Sequence, residues 1–156
     1  AAPPKFTQRI VELNLLAPFY VAQRAYHYMS NQAGGGSIVN IGSIVAVRPS
    51  PTTAAYGAAK AGLLQLSTTL AMEWAPTVRV NTITVGLILT EQAALFYGEG
   101  EDRKRIESGI PMGRFAMPSD VGDIAVYLAS DLAGYVTGAE IAAHGGGERP
   151  PFLSAD

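Results

Sequence analysis

The sequence contains no cysteine. That excludes disulfides, thiolate zinc sites and a thiol nucleophile. Its two histidines, His27 and His144, are too few to build a metal site alone, so no metal is expected. Charge is scarce: 11 basic and 13 acidic residues make up 15% of the chain, for a net charge of −2. With no Lys/Arg cluster there is no footprint for a phosphate backbone, and nucleic acid is not an expected partner. No apolar run approaches the ~20 residues that span a bilayer, so no membrane partner is expected either. Residues 1–9 hold Pro3 and Pro4 and no apolar stretch, unlike a secretory leader. A cytoplasmic location is the expectation.

Against these absences, 48% of the 156 residues are apolar and 17 are glycine. The length fits one domain or part of a larger one. Residues 5–29 carry Phe6, Ile10, Leu13, Ala17 and Val21 at helical spacing. Pro18 lies inside that helix and cannot donate to the Asn14 carbonyl, which predicts a kink there. Residues 37–41 are a β-branched run that stops at Gly42-Ser43 and reads as a buried strand. The spacing predicts a helix over 54–75, with Ala59, Leu63, Leu66, Leu70 and Trp74 on one side, Thr52 or Thr53 as its cap and Pro76 at its end. Residues 78–85 form a second strand, stopped by Gly86. A long mixed segment over 87–117 has the length of a lid. Ser119 opens a last helix running to about Ser130, and 138–143 is a third strand. Alternating helix and strand implies parallel strands joined by right-handed crossovers. The expected fold is α/β, a Rossmann-like doubly wound parallel sheet of which this chain covers three strands.

Ligands of such folds sit beyond the carboxyl ends of the strands. Ser43 follows the first strand, Tyr56 and Lys60 share one face at the start of the next helix, and Thr90 follows the second strand. Seven tyrosines and three lysines in 156 residues give about 0.13 chance Tyr-x-x-x-Lys matches, so the bare pair reads equally as a tyrosine on a lysine stem. Its setting after Gly-Ser, and ahead of a strand ending in glycine, is more specific. Neither glycine run, 34–36 or 145–147, has the strand–turn–helix order of a dinucleotide fingerprint.

The stretches IVELNLLAPF, SIVNIGSIVA, AAYGAAKAGLLQLSTTLAMEWA, VRVNTITVGLILT and VTGAEIAAHGG together resemble the short-chain dehydrogenase/reductase family, in particular its ketoacyl-(acyl-carrier-protein) reductase-like members. The resemblance runs from about Phe6 to Gly147. It implies a catalytic tetrad of Asn14, Ser43, Tyr56 and Lys60. It also implies an NAD or NADP cofactor held by Tyr56, Lys60, Gly86, Ile88 and Thr90, and assembly as a homodimer or homotetramer through helices 5–29 and 54–75. Reduction of a ketone needs a proton at the developing alkoxide, which Tyr56 would supply. A Lys60 ammonium one turn along would stabilise the phenolate by opposite charge. Ser43 would donate to the substrate oxygen, and the Asn14 carbonyl would hold a water linking Lys60 to solvent. In this reading Gly86 lets backbone approach the nicotinamide, while Val85 stands where the family has proline. His144 stands where the family is usually acidic and reads as a structural or rim residue, His27 as a helix-surface residue, and Asn81 as a backbone anchor. The lid side chains Leu95, Phe96, Tyr97, Ile106, Met112, Phe115 and Met117 suit a hydrophobic or acyl-type carbonyl or alcohol substrate.

The family's glycine-rich phosphate loop and its NAD/NADP-selecting residue have no counterpart in these 156 residues. Residues 1–156 are thus expected to be the C-terminal part of one Rossmann-type domain, with roughly 100 further residues ahead of Ala1. On that expectation the strand at 37–41 would expose an unpaired edge, and the segment alone would be inactive and unstable. The competing expectation is a truncated, non-catalytic oligomerisation module.

Overall fold

The computed structural model describes residues 2–147. Helix α1 (Pro4–Val11) passes through a π turn (Glu12–Leu16) into α2 (Ala17–Met29). Strand β1 (Gly36–Ile41) leads through a 3₁₀ turn (Ile44–Ala46) to α3 (Ala54–Trp74), and β2 (Val78–Val85) follows. The lid holds α4 (Ala93–Tyr97) and α5 (Glu101–Gly109). Helix α6 (Pro118–Ala129), a second 3₁₀ turn (Asp131–Ala133) and β3 (Glu140–Ala143) complete the order. The sheet order is β1-β2-β3, with both pairings parallel. Strand β1 therefore lies at an edge, and Ile41 at its end is exposed.

Helices cover the sheet on both faces, as parallel strands require. On one face Val78 and Val80 of β2 pack against Ala22 of α2 and Leu70, Ala71 and Trp74 of α3. Tyr26 stacks on Trp74 with ring centroids 4.5 Å apart. On the other face Ile83 and Val85 meet Val121 and Leu128 of α6 and Ala133. Alternation along β2 sends successive side chains to opposite layers. Each buried aliphatic side chain contributes ~1.5–3 kcal/mol relative to exposure, so β2, buried along nearly its whole length, carries most of the sheet's share.

Local details correct the sequence reading. Pro18 does not simply kink the helix. The chain widens into the π turn ahead of it, and the Ala17 N–H donates to the Glu12 carbonyl, five residues back. Neither Thr52 nor Thr53 caps α3. Thr53 occupies the cap position but makes no cap bond, its backbone at φ −116°, ψ 29° lying outside the extended cap conformation; its hydroxyl donates instead to the Ser50 carbonyl at 3.1 Å. Helix α6 starts before Ser119: the Met117 N–H donates to the Asp120 carboxylate at 2.7 Å, an acidic lock on the first turn. Strand β3 starts at Glu140 and not at Gly138, because the Ala139 N–H is taken by the Asn81 side-chain oxygen at 3.0 Å. Asn81 also donates to the Val136 carbonyl at 2.9 Å, the backbone anchoring expected of it. His27 is exposed on α2, also as expected.

Arg114 pairs with Asp120 at 2.7 Å. The Arg114 hydrogen bonds first, then the Met117 N–H, hold the Asp120 carboxyl at about 2. The folded-state value lies below the ordinary one, so this contribution is present at neutral pH and is lost as pH falls through about 2. Comparing wild type with Asp120→Asn by urea midpoint should show a gap that narrows stepwise on acidification. The pair is solvent-exposed, so added salt should shrink the gap. A gap that ignores both pH and salt would assign Asp120 a purely steric role.

Candidate active site

Three of the four expected catalytic residues meet at the carboxyl end of β1. Ser43 leaves the strand in extended conformation and heads the 3₁₀ turn, its hydroxyl accepting from the Val45 N–H at 3.5 Å. That contact is long, which leaves the hydroxyl available to a ligand. Tyr56 lies in the first turn of α3, which packs against the turn headed by Ser43. Lys60, one turn further, donates its ammonium to the Ile41 carbonyl at 2.9 Å. The Lys60 Nζ also lies 5.7 Å from the Tyr56 ring centroid, within cation–π reach. Burial lowers the Lys60 ammonium below the ordinary lysine value. The bond to Ile41 orients the ammonium by tying α3 to the strand that delivers Ser43.

Asn14 sits on the π turn, which packs on α3; neighbouring Leu15 fills the space a Cβ on Gly62 would take. The Asn14 side-chain amide donates to the Ile10 carbonyl at 3.0 Å. The structure thus places Asn14 beside the helix that carries Lys60, with its side chain turned to its own helix.

The expected cofactor residues divide. Gly86 has a clear steric reason: a Cβ there would lie 2.8 Å from the His144 Cβ and 2.9 Å from its Cα. The glycine therefore admits His144, a neighbour the sequence did not connect to it. The Gly86 N–H donates to the Ala143 carbonyl at 3.1 Å. Ile88 packs its side chain into the core and pairs with Ala116 across the lid base. Thr90 is exposed, and its N–H donates to the Ile88 carbonyl at 3.1 Å.

A cavity of about 210 Å³ opens beside these residues. Ile44, Gly86, Leu87, Ile110 and His144 line it, with the Arg114–Asp120 pair at its wall. Ser43, Tyr56 and Lys60 are not among its lining residues. The His144 Nδ1 is buried with no hydrogen-bond partner. Of the five residues expected to hold the nicotinamide end of the cofactor, Gly86 alone lines this mostly apolar cavity. Among the described residues, no strand–glycine–helix turn exists for its diphosphate. Sequence reading missed the pairing of Gly86 with His144, which depends on β3 lying beside β2. No group of three or more metal-ligating side chains occurs among the described residues, and no described helix is long and apolar enough to cross a membrane.

Comparison with known proteins bears on this geometry. Residues 2–148 match the family described as enoyl-(acyl carrier protein) reductase. The chain is 39% identical over 140 residues to 3β-hydroxysteroid dehydrogenase 1 of Eggerthella lenta, covering 89% of this chain and 54% of that protein. It is 37% identical over 138 residues to the 3-oxoacyl-[acyl-carrier-protein] reductase of Thermotoga maritima, covering 88% of this chain and 55% of the relative. It superposes on a 7α-hydroxysteroid dehydrogenase complexed with NADH and 7-oxo glycochenodeoxycholic acid with a TM-score of 0.86, at 28% identity, covering 94% of this chain and 57% of that one. The chain thus spans about half the length of the proteins it matches.

Proposed function

This chain belongs to the short-chain dehydrogenase/reductase family, and from that premise we propose that it is an oxidoreductase working between NAD(P)(H) and a carbonyl or secondary alcohol. The observation that carries the reading is the junction of Ser43, Tyr56 and Lys60, drawn together by the 2.9 Å bond from Lys60 to the β1 carbonyl of Ile41. The relatives' printed activities, on a steroid alcohol and an acyl carbonyl, agree with the apolar lid in pointing to a hydrophobic or acyl-type substrate. The bound cofactor supplies or takes the hydride. The protein's part is the proton and the charge. Tyr56 delivers a proton to the substrate oxygen during reduction and removes it during oxidation. Ser43 donates to the same oxygen and stabilises the charge that gathers there. Lys60 holds positive charge beside the Tyr56 ring, favouring the phenolate that remains after transfer. Asn14 serves as a positioning residue behind Lys60. Gly86, Ile88 and Thr90, with Tyr56 and Lys60, hold the nicotinamide end.

Ser43→Ala tests this assignment directly. It removes one donor from the developing oxyanion, a loss on the scale of 10²–10³ in kcat. Cofactor affinity, read by nicotinamide fluorescence, should stay near wild type. Unchanged kcat in Ser43→Ala refutes the site.

Residues 1–156 are read as the C-terminal part of one Rossmann-type domain. The extra length of the relatives is where this reading places the diphosphate-binding glycines, with a further strand on the free edge of β1. Cytoplasmic residence follows from the same reading. The exposed apolar face of α1 and α2, with Phe6 at 58%, Tyr20 at 60% and Val21 at 69% exposure, supports a homodimer or homotetramer built on these helices and α3. Light scattering on the full-length protein at micromolar concentration should report a dimer or tetramer. A monomer would remove that assignment. The competing non-catalytic oligomerisation module explains the exposed face but leaves the Ser43–Tyr56–Lys60 junction without a role.

A further inference from the structure

The buried stripe of α3 carries one polar residue. Ala59, Leu63, Leu70, Ala71 and Trp74 are buried along it, and Ser67, only 1% exposed, lies among them. A hydroxyl is costly to bury unless it is bonded. Ser67 is bonded twice. Its hydroxyl donates to the Leu63 carbonyl one turn back, at 2.7 Å, and accepts from the Asn40 side-chain amide at 2.9 Å. Asn40 is buried too, on β1, three residues ahead of Ser43. Alternation along β1 turns Asn40 to the α3 face together with Ile38. The pair therefore joins the strand that delivers Ser43 to the helix that carries Tyr56 and Lys60.

Apolar contact is non-directional, so the rest of the stripe presses α3 onto the sheet without fixing where it stops along β1. Among the described residues, two hydrogen bonds run between the sheet and side chains of α3: Asn40 to Ser67, and Lys60 to the Ile41 carbonyl. Their β1 ends are consecutive residues, and their α3 ends are two turns apart on one face. Lys60 reaches its carbonyl through a flexible four-carbon stem, which can follow a shifting helix. Ser67 has a one-carbon side chain, so its bond to Asn40 holds at one helix position only. At the head of α3 no side-chain cap sets the position, and clearance there is small. A Cβ on Gly57 would lie 3.2 Å from the Val45 carbonyl oxygen, in the turn that Ser43 heads. Any displacement at Ser67 is carried along one unbroken helix to Tyr56, near that close approach.

Resting on the role given to Tyr56 above, we propose that Asn40 and Ser67 are positioning residues: their buried bond sets the register of α3 on β1, and so holds Tyr56 and Lys60 in working position relative to Ser43. Neither residue touches the reacting atoms; both act through α3. Misplacing a reacting group by about 1 Å costs on the order of 10² in rate, so a register bond well below the site has leverage on turnover. A neighbouring threonine shows that a buried polar group in this layer is not by itself the device. Thr82 stands opposite Asn40 in the pairing of β1 with β2 and is buried as well. Its hydroxyl has no hydrogen-bond partner, so it ties nothing to α3.

The test uses the full-length enzyme with NADH or NADPH and two ketones, cyclohexanone and ethyl acetoacetate. Ser67→Ala removes the accepting hydroxyl and keeps a good helix former. It should lower kcat by ~10-fold or more, while KM and cofactor affinity stay within ~3-fold of wild type. Asn40→Leu leaves Ser67 bonded to Leu63 and should produce the same split. Two comparison variants isolate the bond from its surroundings. Thr82→Val removes a hydroxyl from the same layer and should keep kcat within ~2-fold. Val80→Ala truncates the core on the same face of β2, lowers the urea midpoint without touching the bond, and should also keep kcat within ~2-fold. An equal loss of kcat in either comparison variant would mean that the pair only stabilises the core, and would overturn the proposal. Unchanged kcat in Ser67→Ala or Asn40→Leu would overturn it as well. Tyr56→Phe, assayed alongside, separates the two levels. Full turnover in that variant, or no turnover of either ketone by wild type, removes the reading of Tyr56 and this inference with it. An inactive Tyr56→Phe together with wild-type-like Ser67→Ala removes the role of the pair alone.

Discussion

Tyr56→Phe in the full-length enzyme should lower turnover of a carbonyl substrate by ~10² or more, the scale of a lost general acid. The substitution removes one oxygen and leaves the ring where it is, 5.7 Å from the Lys60 Nζ. Fold, lid and cofactor site should therefore persist. KM and cofactor affinity should stay within a few-fold, because the phenol acts most strongly in the transition state. Losses in kcat and kcat/KM should then be similar. Stopped-flow measurement of the hydride step distinguishes a chemical defect from slow product release. Wild-type-like turnover would take the proton away from Tyr56 and leave the Ser43–Lys60 geometry in need of another account.

Gly35→Ala should destabilise the folded protein by ~2–4 kcal/mol, the sum of an overpacking term and a strained backbone. Two independent observations support this. A Cβ at Gly35 would fall 1.8 Å from the carbonyl oxygen of Thr77, a backbone atom with no freedom to swing aside. The residue also has φ +65°, where side chains are unfavourable. Next door, the Gly36 N–H donates to the same Thr77 carbonyl at 3.0 Å, so relaxation at Gly35 pulls on the first pairing of β1 with β2, Gly36 against Val78. Urea unfolding of the full-length enzyme should show a lower midpoint with little change in slope. Gly34→Ala is the internal comparison: its φ is also positive, at +89°, but a Cβ there meets nothing within 4 Å. It should cost only the conformational part, ~1 kcal/mol. Equal effects at the two positions would show that backbone conformation, and not the approach of Thr77, sets the requirement for glycine.

This comparison also shows what a sequence withholds. The run 34–36 was readable as something other than a phosphate loop, because it precedes a strand. That its middle member is pressed on Thr77 depends on β1 lying beside β2. The same holds for Gly86 and His144. Each is unremarkable alone, 58 positions apart in the chain, and they touch because β3 pairs with β2 in parallel, Val85 against Ala143.

Elements governed by local chemistry were legible in advance. Helical spacing and β-branched runs located α3 and β2 to within a residue of their ends, since burial of one face and strand propensity act over short windows. The Gly-Ser that ends β1 and the Tyr-x-x-x-Lys at the head of α3 were legible for the same reason: both are contiguous. Element ends were misread where backbone geometry or a nonlocal partner decided them, as the non-extended backbone of Thr53 does ahead of α3 and Asn81 does by taking the Ala139 N–H ahead of β3. The π turn ahead of Pro18 was misread because a missing N–H admits two answers, a bend or a wider turn, and packing on α3 selects between them.

By itself, then, the sequence determined the order of the three strands and the helices flanking them, the α/β class, the absence of thiol chemistry and the residue types of the proposed site. These follow from periodicity, from turn residues and from which functional groups the chain possesses. The tertiary structure alone decided that Lys60 reaches the Ile41 carbonyl, that His144 rests on Gly86 and that Tyr97 folds back onto Phe115. Each of these contacts joins residues 18 or more positions apart. Their geometry is set by parallel pairing and by the tie at the lid's base, which no short window of sequence encodes.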